Sequence, residues 1–243
     1  MHRKMLPALL LAVPLWAGAA ELTVSAAASL TNAFKDLAQA FEAAHPGDKV
    51  LLNFAASDPL VQQIAKGAPV DVFAAADQDA MDKANRLKLL AAGTRRDFAG
   101  NTVVLVVPAG SRIASLADLH GAARLTTGNP ASVPIGRYTQ EALDKAGLWR
   151  ALAPKFVFGT SVRQSLDYVA RAEVDAGFVY ATDVMAQKDK IKAVATLATV
   201  TPVRYPIAVL ARAPQPRLAR QFVDFATSAA GQAILARHGF GKP

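Results

Sequence analysis

The sequence predicts an α/β protein of two lobes, each a sheet flanked by helices, joined by two crossing segments. Three observations carry this. Strand-like apolar runs alternate with helical patterns from Leu22 to about Leu90, a second such series starts at Asn101, and a last strand-like run, Tyr205–Leu210, precedes two helices that need a sheet to cover. The chain is expected to leave the first lobe near Thr102 and return near Pro206. That assigns 21–102 plus 207–243 to one lobe and 103–206 to the other. Two crossings make a hinge, and a cleft between lobes is a usual ligand site. Length alone does not decide, because 243 residues suit one large domain or two lobes of roughly 100 residues each.

Residues 1–20 read as a signal peptide. Arg3 and Lys4 form a positive start, Leu6–Trp16 is an apolar run, and Ala17-Gly18-Ala19-Ala20 offers the small-residue cleavage site, with the cut expected before Glu21. The run is too short to span a bilayer. An exported, soluble, periplasmic protein is expected, and no cysteine is present to carry a lipid anchor.

The first unit is the clearest. Leu22 and Val24 mark a strand, Ser25–Ala28 allow a tight turn, and Ser29 stands where a helix N-cap belongs. Leu30, Ala33, Phe34, Leu37, Ala38, Phe41 and Ala44 then recur at the spacing of one buried helix face, which His45-Pro46-Gly47 ends. A strand predicted over Lys49–Phe54 is followed by a helix from Pro59 to about Lys66, with Asp58 as the expected cap. Asp71–Ala76 reads as a buried strand, and Asp77 opens a helix to about Leu90. This order is the signature of a parallel sheet covered on both faces.

In the second series Asn101–Val107 reads as one apolar strand stopped by Pro108. There follow a short helix at Leu116–Leu119, a strand at Arg124–Thr127, a loop at Gly128-Asn129-Pro130 and a helix from about Pro134 to Lys145. A strand at Lys155–Phe158, a helix from Val162 to about Glu173 and a strand at Gly177–Tyr180 continue it. Helices at Arg217–Thr227 and Gly231–Arg237 end the chain.

Composition narrows the function. With 52% hydrophobic and 19% charged residues the chain can bury a core, and with no cysteine it has neither disulfide nor thiolate metal site. Removing Arg3 and Lys4 lowers the formal charge from +8 to +6. No Lys/Arg run interleaved with aromatics accompanies that charge, so small anions are expected partners and nucleic acid is not. Catalytic patterns are missing as well: no G-x-S-x-G elbow, H-E-x-x-H, Walker loop or dinucleotide fingerprint occurs. His45, His120 and His238 each adjoin a helix-ending glycine or Pro-Gly and read as solvated helix ends, and Asp77, Asp79 and Asp82 lack the spacing of a calcium loop.

A small or hydroxyl-bearing residue recurs where a strand ends and a helix begins: Ser29, Ser57, Pro134-Ile135-Gly136, and Gly159-Thr160-Ser161-Val162. Helix N-termini that converge on one cleft bind an oxyanion with neutral N–H and O–H dipoles. The plainer reading is that each residue caps its own helix.

The motifs sharpen this. Ala26-Ala27-Ala28-Ser29-Leu30-Thr31, the stretch Gln63–Phe73, Ala75-Ala76-Asp77-Gln78, Gly128-Asn129-Pro130 with Val133-Pro134, Val162-Arg163, Val179-Tyr180, Tyr205-Pro206 and Gly239-Phe240 together resemble the molybdate-binding proteins of ABC transporters (ModA type). The resemblance implies the type II periplasmic binding protein fold, with a two-strand hinge, each lobe a mixed sheet flanked by helices. It also implies closure on a tetrahedral dianion, molybdate or tungstate, with no catalysis and no cofactor. The protein would act as a monomer that delivers its ligand to a membrane permease. Carried over, the ligand positions are Ser29, Ser57, Ile135, Val162 and Tyr180, holding the oxyanion with no direct metal ligands.

Asp58 departs from the pattern. An ionised Asp58 at the cap would compete for the helix N–H groups and repel a dianion, so either it faces away, or it is protonated, or the ligand differs. On that reading Asp58→Ser leaves affinity unchanged or improved. Ile135 is bulkier than the expected alanine and alters cavity shape only. Three rivals stay open at this point: a sulfate, phosphate or organic-anion binder of the same fold, an exported serine hydrolase or transferase using Ser29 or Ser57, and a ligand-free module.

Overall fold

The computed structural model describes residues 20–243; all of the predicted leader at residues 1–20 except Ala20 lies outside the described residues. The first half of the chain builds one mixed sheet. β1 (Glu21–Ala27) runs through a 3₁₀ turn (Ala28–Leu30) into α1 (Thr31–Ala44). β2 (Lys49–Ala55) leads to α2 (Ser57–Ala65), β3 (Val72–Ala74) to α3 (Gln78–Arg86), and β4 (Arg96–Asn101) closes the series. β1 pairs in parallel with β2 and β3, as a β-α-β crossover requires.

The second sheet follows the same plan. β5 (Val103–Pro108) precedes β6 (Leu125–Gly128), α4 (Pro134–Lys145), a short α5 (Trp149–Leu152), β7 (Phe156–Gly159) and α6 (Val162–Ala170). β8 (Ala176–Tyr180), a short α7 (Ala181–Val184) and β9 (Ile191–Leu197) complete it. The chain then returns through β10 (Val203–Val209) to the first sheet and ends in α8 (Pro216–Thr227) and α9 (Ala229–Arg237). The strand orders are β2-β1-β3-β10-β4 and β7-β6-β8-β5-β9. In each sheet one strand arriving from elsewhere in the chain, β10 or β5, lies antiparallel to its neighbours. Both sheets are therefore mixed, as the family resemblance implies, where the β-α order of the first series alone had predicted a parallel one.

Three sequence expectations change. The run Asn101–Val107 is not one strand: the chain breaks at Thr102, with Asn101 ending β4 of the first sheet and Val103–Val107 lying in β5 of the second. Strand β9 was not expected, and the return strand begins at Val203, paired with Asn101, rather than at Tyr205. The third helix ends at Arg86 instead of near Leu90, because Lys88 takes a left-handed backbone (φ 57°).

Apolar packing fixes both sheets. Leu22, Val24 and Ala26 face Phe34, Leu37 and Phe41 of α1, and Phe34 and Phe41 meet Phe222 of α8 edge to face at 6.1 and 5.3 Å. On the opposite face, Phe73 packs with Leu60, Val61 and Met81 of α2 and α3. In the second sheet Val103–Val107 are buried on both sides, which explains their unbroken apolar run. Among the described residues no helix is long and apolar enough to cross a membrane.

Candidate functional site

The candidate residues stand where strands hand over to helices, at the carboxyl edges of both sheets. β1 delivers Ser29, β2 delivers Ala56 and Ser57, and β3 is followed by Ala75 and Ala76. From the second sheet β6 delivers Val133–Ile135, β7 leads to Val162, and β8 ends on Tyr180. These edges face each other across a small cavity with about 10 Å³ of room for a water-sized sphere, lined by Ser29, Ser57, Ile135, Val162 and Tyr180 among other small or apolar residues. That is about the room of one water and far below the roughly 300–1,000 Å³ of organic-ligand pockets, so the cavity admits a small, compact solute at most. All five sequence-predicted site residues thus meet at one cavity.

Its chemistry is neutral and donor-rich. Ser57 is the first residue of α2, Ile135 follows Pro134 at the start of α4, and Val162 opens α6, so the N–H groups of Ser57, Ile135 and Val162 have no intrahelical acceptor and lie at the positive ends of the helix dipoles. Ser57 Oγ accepts the N–H of Ala76 at 3.0 Å, which leaves its own proton free to point elsewhere. The Tyr180 hydroxyl is buried and has no hydrogen-bond partner among the described residues. Burial pushes its pKa well up, with the neighbouring Tyr205 acting in the same direction, so it remains a donor. No lysine, arginine, aspartate or glutamate lines the cavity.

Close backbone approach holds α4 in place. A Cβ on Gly136 would sit 2.1 Å from the Gly128 carbonyl oxygen and 2.7 Å from Pro130 N, so only glycine lets α4 start against the end of β6.

Two predicted caps are not caps. The N-cap of α1 is Leu30, and the Ser29 hydroxyl lies 3.0 Å from Tyr205 Oη instead. Helix α2 begins one residue before Asp58, with Ala56 as its N-cap. The Asp58 carboxylate is directed away from the cavity, to Lys83 Nζ at 3.0 Å and Arg137 Nη2 at 2.8 Å. This settles the three-way choice in favour of Asp58 facing away. Asp77 does cap α3, accepting the Ala80 N–H, and also pairs with Arg137. Burial pulls the Arg137 guanidinium down, but the Asp77 and Asp58 carboxylates more than offset it and hold it charged. Burial raises the Asp77 carboxyl, with Arg137 opposing.

Sequence reading missed Arg137, Tyr205, Asn101 and Asp183. The Asp183 carboxylate, fully buried, accepts the Tyr180 N–H at 3.2 Å and lies 2.9 Å from Arg163 Nε. Their partners are 60 to 176 residues away for Arg137 and for Tyr205 to Ser29, which no local spacing signals. Two expected solvated helix ends are occupied: His45 stacks on Phe41, and His238 meets Asp36 at 2.8 Å. Neither serine of the cavity has a histidine as its hydrogen-bond partner, the arrangement an activated nucleophile uses. No group of metal-ligating side chains occurs among the described residues. A wider groove along Gly100–Val103 and Gly239–Pro243 holds none of the buried unpartnered polar atoms.

The family model for bacterial extracellular solute-binding proteins matches residues 22–241. The molybdate-binding protein ModA of Mycobacterium bovis is 40% identical over 229 residues, covering 93% of this chain and 86% of its own length. Among solved structures, the periplasmic molybdate-binding protein of Azotobacter vinelandii aligns with a TM-score of 0.80 at 22% identity, over 91% of this chain and 99% of that one. The sulfate-binding protein SubI of Mycobacterium tuberculosis aligns with a TM-score of 0.81 at 19% identity, over 92% and 87%. At such identities these two structures show the shared fold alone. The chain belongs to the family of bacterial extracellular solute-binding proteins, among its ModA-type members.

Proposed function

We propose that this protein captures molybdate, and tungstate, in the cavity between its two sheets and delivers it to an ABC permease, without catalysis and without a cofactor. The observation that carries the reading is the meeting of Ser29, Ser57, Ile135, Val162 and Tyr180 at one small cavity free of charged side chains. A tetrahedral dianion satisfies such a set: backbone N–H groups at three helix starts and three hydroxyls surround it, and helix dipoles supply the opposing charge. Similarity to ModA proteins adds the anion's identity. The fold does not choose the anion, since a sulfate-binding protein shares it. Selection of molybdate over sulfate would rest on cavity size, because fixed donors meet a smaller anion with stretched hydrogen bonds.

In this reading the two sheets are the cores of two lobes, hinged at Thr102 and at 198–202, and ligand shifts an open–closed equilibrium toward the form that docks on the permease. The protein works as a monomer in the periplasm after loss of its leader, and it binds no nucleic acid. Calorimetric titration with molybdate, sulfate and phosphate tests it. Trp149 packs on Phe156 at 5.2 Å and does not line the cavity, so heat is a better readout than its fluorescence. Saturable binding of molybdate with sulfate silent is expected; sulfate binding as tightly as molybdate would replace the ligand.

A further inference from the structure

We propose that Tyr205 is a positioning residue for anion binding: through it, Asn101 commits the Ser29 hydroxyl to donate its proton into the cavity. The inference rests on the anion-binding reading above. It starts at the hinge. The N–H of Thr102 donates to Asn101 Oδ1 at 2.9 Å, which fixes the orientation of that amide and leaves Nδ2 as the group facing the protein. Asn101 Nδ2 then donates to Thr182 Oγ1 at 2.9 Å and to Tyr205 Oη at 3.2 Å.

Tyr205 Oη therefore already accepts a proton from Asn101, and its own proton goes to its other neighbour, Ser29 Oγ, at 3.0 Å. Ser29 Oγ, accepting from behind, turns its hydrogen toward the space it lines. Tyr205 has no accessible surface and does not line the cavity, so it acts only through Ser29. Its ring cannot swing away. Phe98, Tyr180 and Phe240 meet it edge to face at 6.4, 5.7 and 5.4 Å. Burial also keeps the phenol protonated.

Ser57 is treated alike, with the Ala76 N–H as the donor behind it. A backbone N–H can only donate, so Ser57 needs no relay. For Ser29, a side-chain relay does the same work. The result is a cavity whose two serine hydroxyls are both turned to offer protons. An oxyanion that still carries a proton, such as hydrogen phosphate, brings that proton against hydroxyls turned to donate and is disfavoured against a fully ionised one.

The test compares wild type, Tyr205→Phe, Ser29→Ala and the double variant by calorimetry with molybdate and with inorganic phosphate near neutral pH. Phenylalanine keeps the ring packing and removes only the hydroxyl. Tyr205→Phe is expected to weaken molybdate binding about tenfold and to narrow its margin over phosphate. The same substitution in the Ser29→Ala background is expected to change neither. Wild-type affinity in Tyr205→Phe, or an equal loss in both backgrounds, would overturn the relay. A ligand-free arm keeps the two readings apart. In proton NMR the Tyr205 hydroxyl resonance, assigned by its loss in Tyr205→Phe, is expected to move upfield in Ser29→Ala, which removes its acceptor. An unmoved resonance overturns the relay even if molybdate binds, and a moved one supports it even if wild type gives no heat with molybdate, a result that would count against the proposed ligand alone.

Discussion

The guanidinium of Arg137, near the start of α4 in the second sheet's unit, lies 2.8 Å from the carboxylate of Asp58, in the first turn of α2 in the other. Asp77, the cap of α3, takes the same guanidinium at 2.6 Å. Arg137 therefore ties the two units together beside the cavity without entering it. All three side chains are mostly shielded from water, so the pairing is worth more than a surface ion pair.

Arg137→Met is expected to weaken anion binding by about 1–2 kcal/mol, roughly five- to thirtyfold, because it leaves two shielded carboxylates facing each other when the lobes close. Asp58→Ser retains the Asp77 pair, and a smaller loss of about 0.5–1 kcal/mol is expected. This reverses the expectation from sequence, in which removing Asp58 relieved repulsion. Calorimetry gives the affinities, and small-angle scattering of the ligand-free variants checks that the population has shifted to the open form.

Ser29→Ala and Ser57→Ala each remove one donor to a charged ligand, and a loss of about 1.5–3 kcal/mol in binding is expected for each. Both also touch the fold. Ser29→Ala leaves the buried Tyr205 hydroxyl without its acceptor, at a cost to stability of about 1–2 kcal/mol. Ser57→Ala also leaves the buried Ala76 N–H without its acceptor, at a cost to stability of about 1–2 kcal/mol. Urea unfolding of the two variants separates that cost from the binding loss.

Gly136→Ala tests how α4 is seated. The added methyl would meet the backbone of Gly128 and Pro130, which cannot rotate away, so α4 must back off from β6 and carry the Ile135 N–H with it. A destabilisation of about 2–3 kcal/mol is expected, together with weaker binding, read by urea unfolding and calorimetry.

The pH dependence follows from Asp183. Burial pushes its carboxyl up to about 6, against the opposing pull of Arg163 and the Tyr180 N–H, from an ordinary value of 3.8. A carboxyl raised in the folded state holds its proton more tightly there than when unfolded. Its contribution to stability is complete below the ordinary value and is lost as pH rises toward about 6. The stability of wild type relative to Asp183→Asn should therefore fall across this window, on the order of 2 kcal/mol, in urea unfolding repeated at several pH values. Equal slopes for the two proteins would contradict it.

Local pattern made much of this molecule legible. The spacing of Leu30, Phe34, Leu37 and Phe41 marked α1, and hydroxyl or small residues at strand–helix junctions marked four of the five cavity positions before any resemblance was invoked. Tyr180 came only from the resemblance, since a tyrosine at a strand end is ordinarily a packing residue. What stayed hidden depends on partners distant in sequence. Arg137 reads as a surface arginine until α2 and α3 are set opposite it. Tyr205 reads as core until its hydroxyl is placed against Ser29. Strand β9, Ile191–Leu197, has weak alternation, and Lys188, Lys190 and Lys192 around its start resemble a solvated loop. The break at Thr102 is hidden because Asn101 and Thr102 abut the buried apolar run Val103–Val107 with no glycine or proline between them.

The most direct test of the central claim is anomalous diffraction from crystals grown with tungstate. One strong peak is expected in the cavity, with the Ser29, Ser57 and Tyr180 hydroxyls and the Ile135 and Val162 N–H groups within hydrogen-bond reach of the anion's oxygens. A peak elsewhere, or one held by Arg137 or Arg163 instead of the neutral donors, would contradict it.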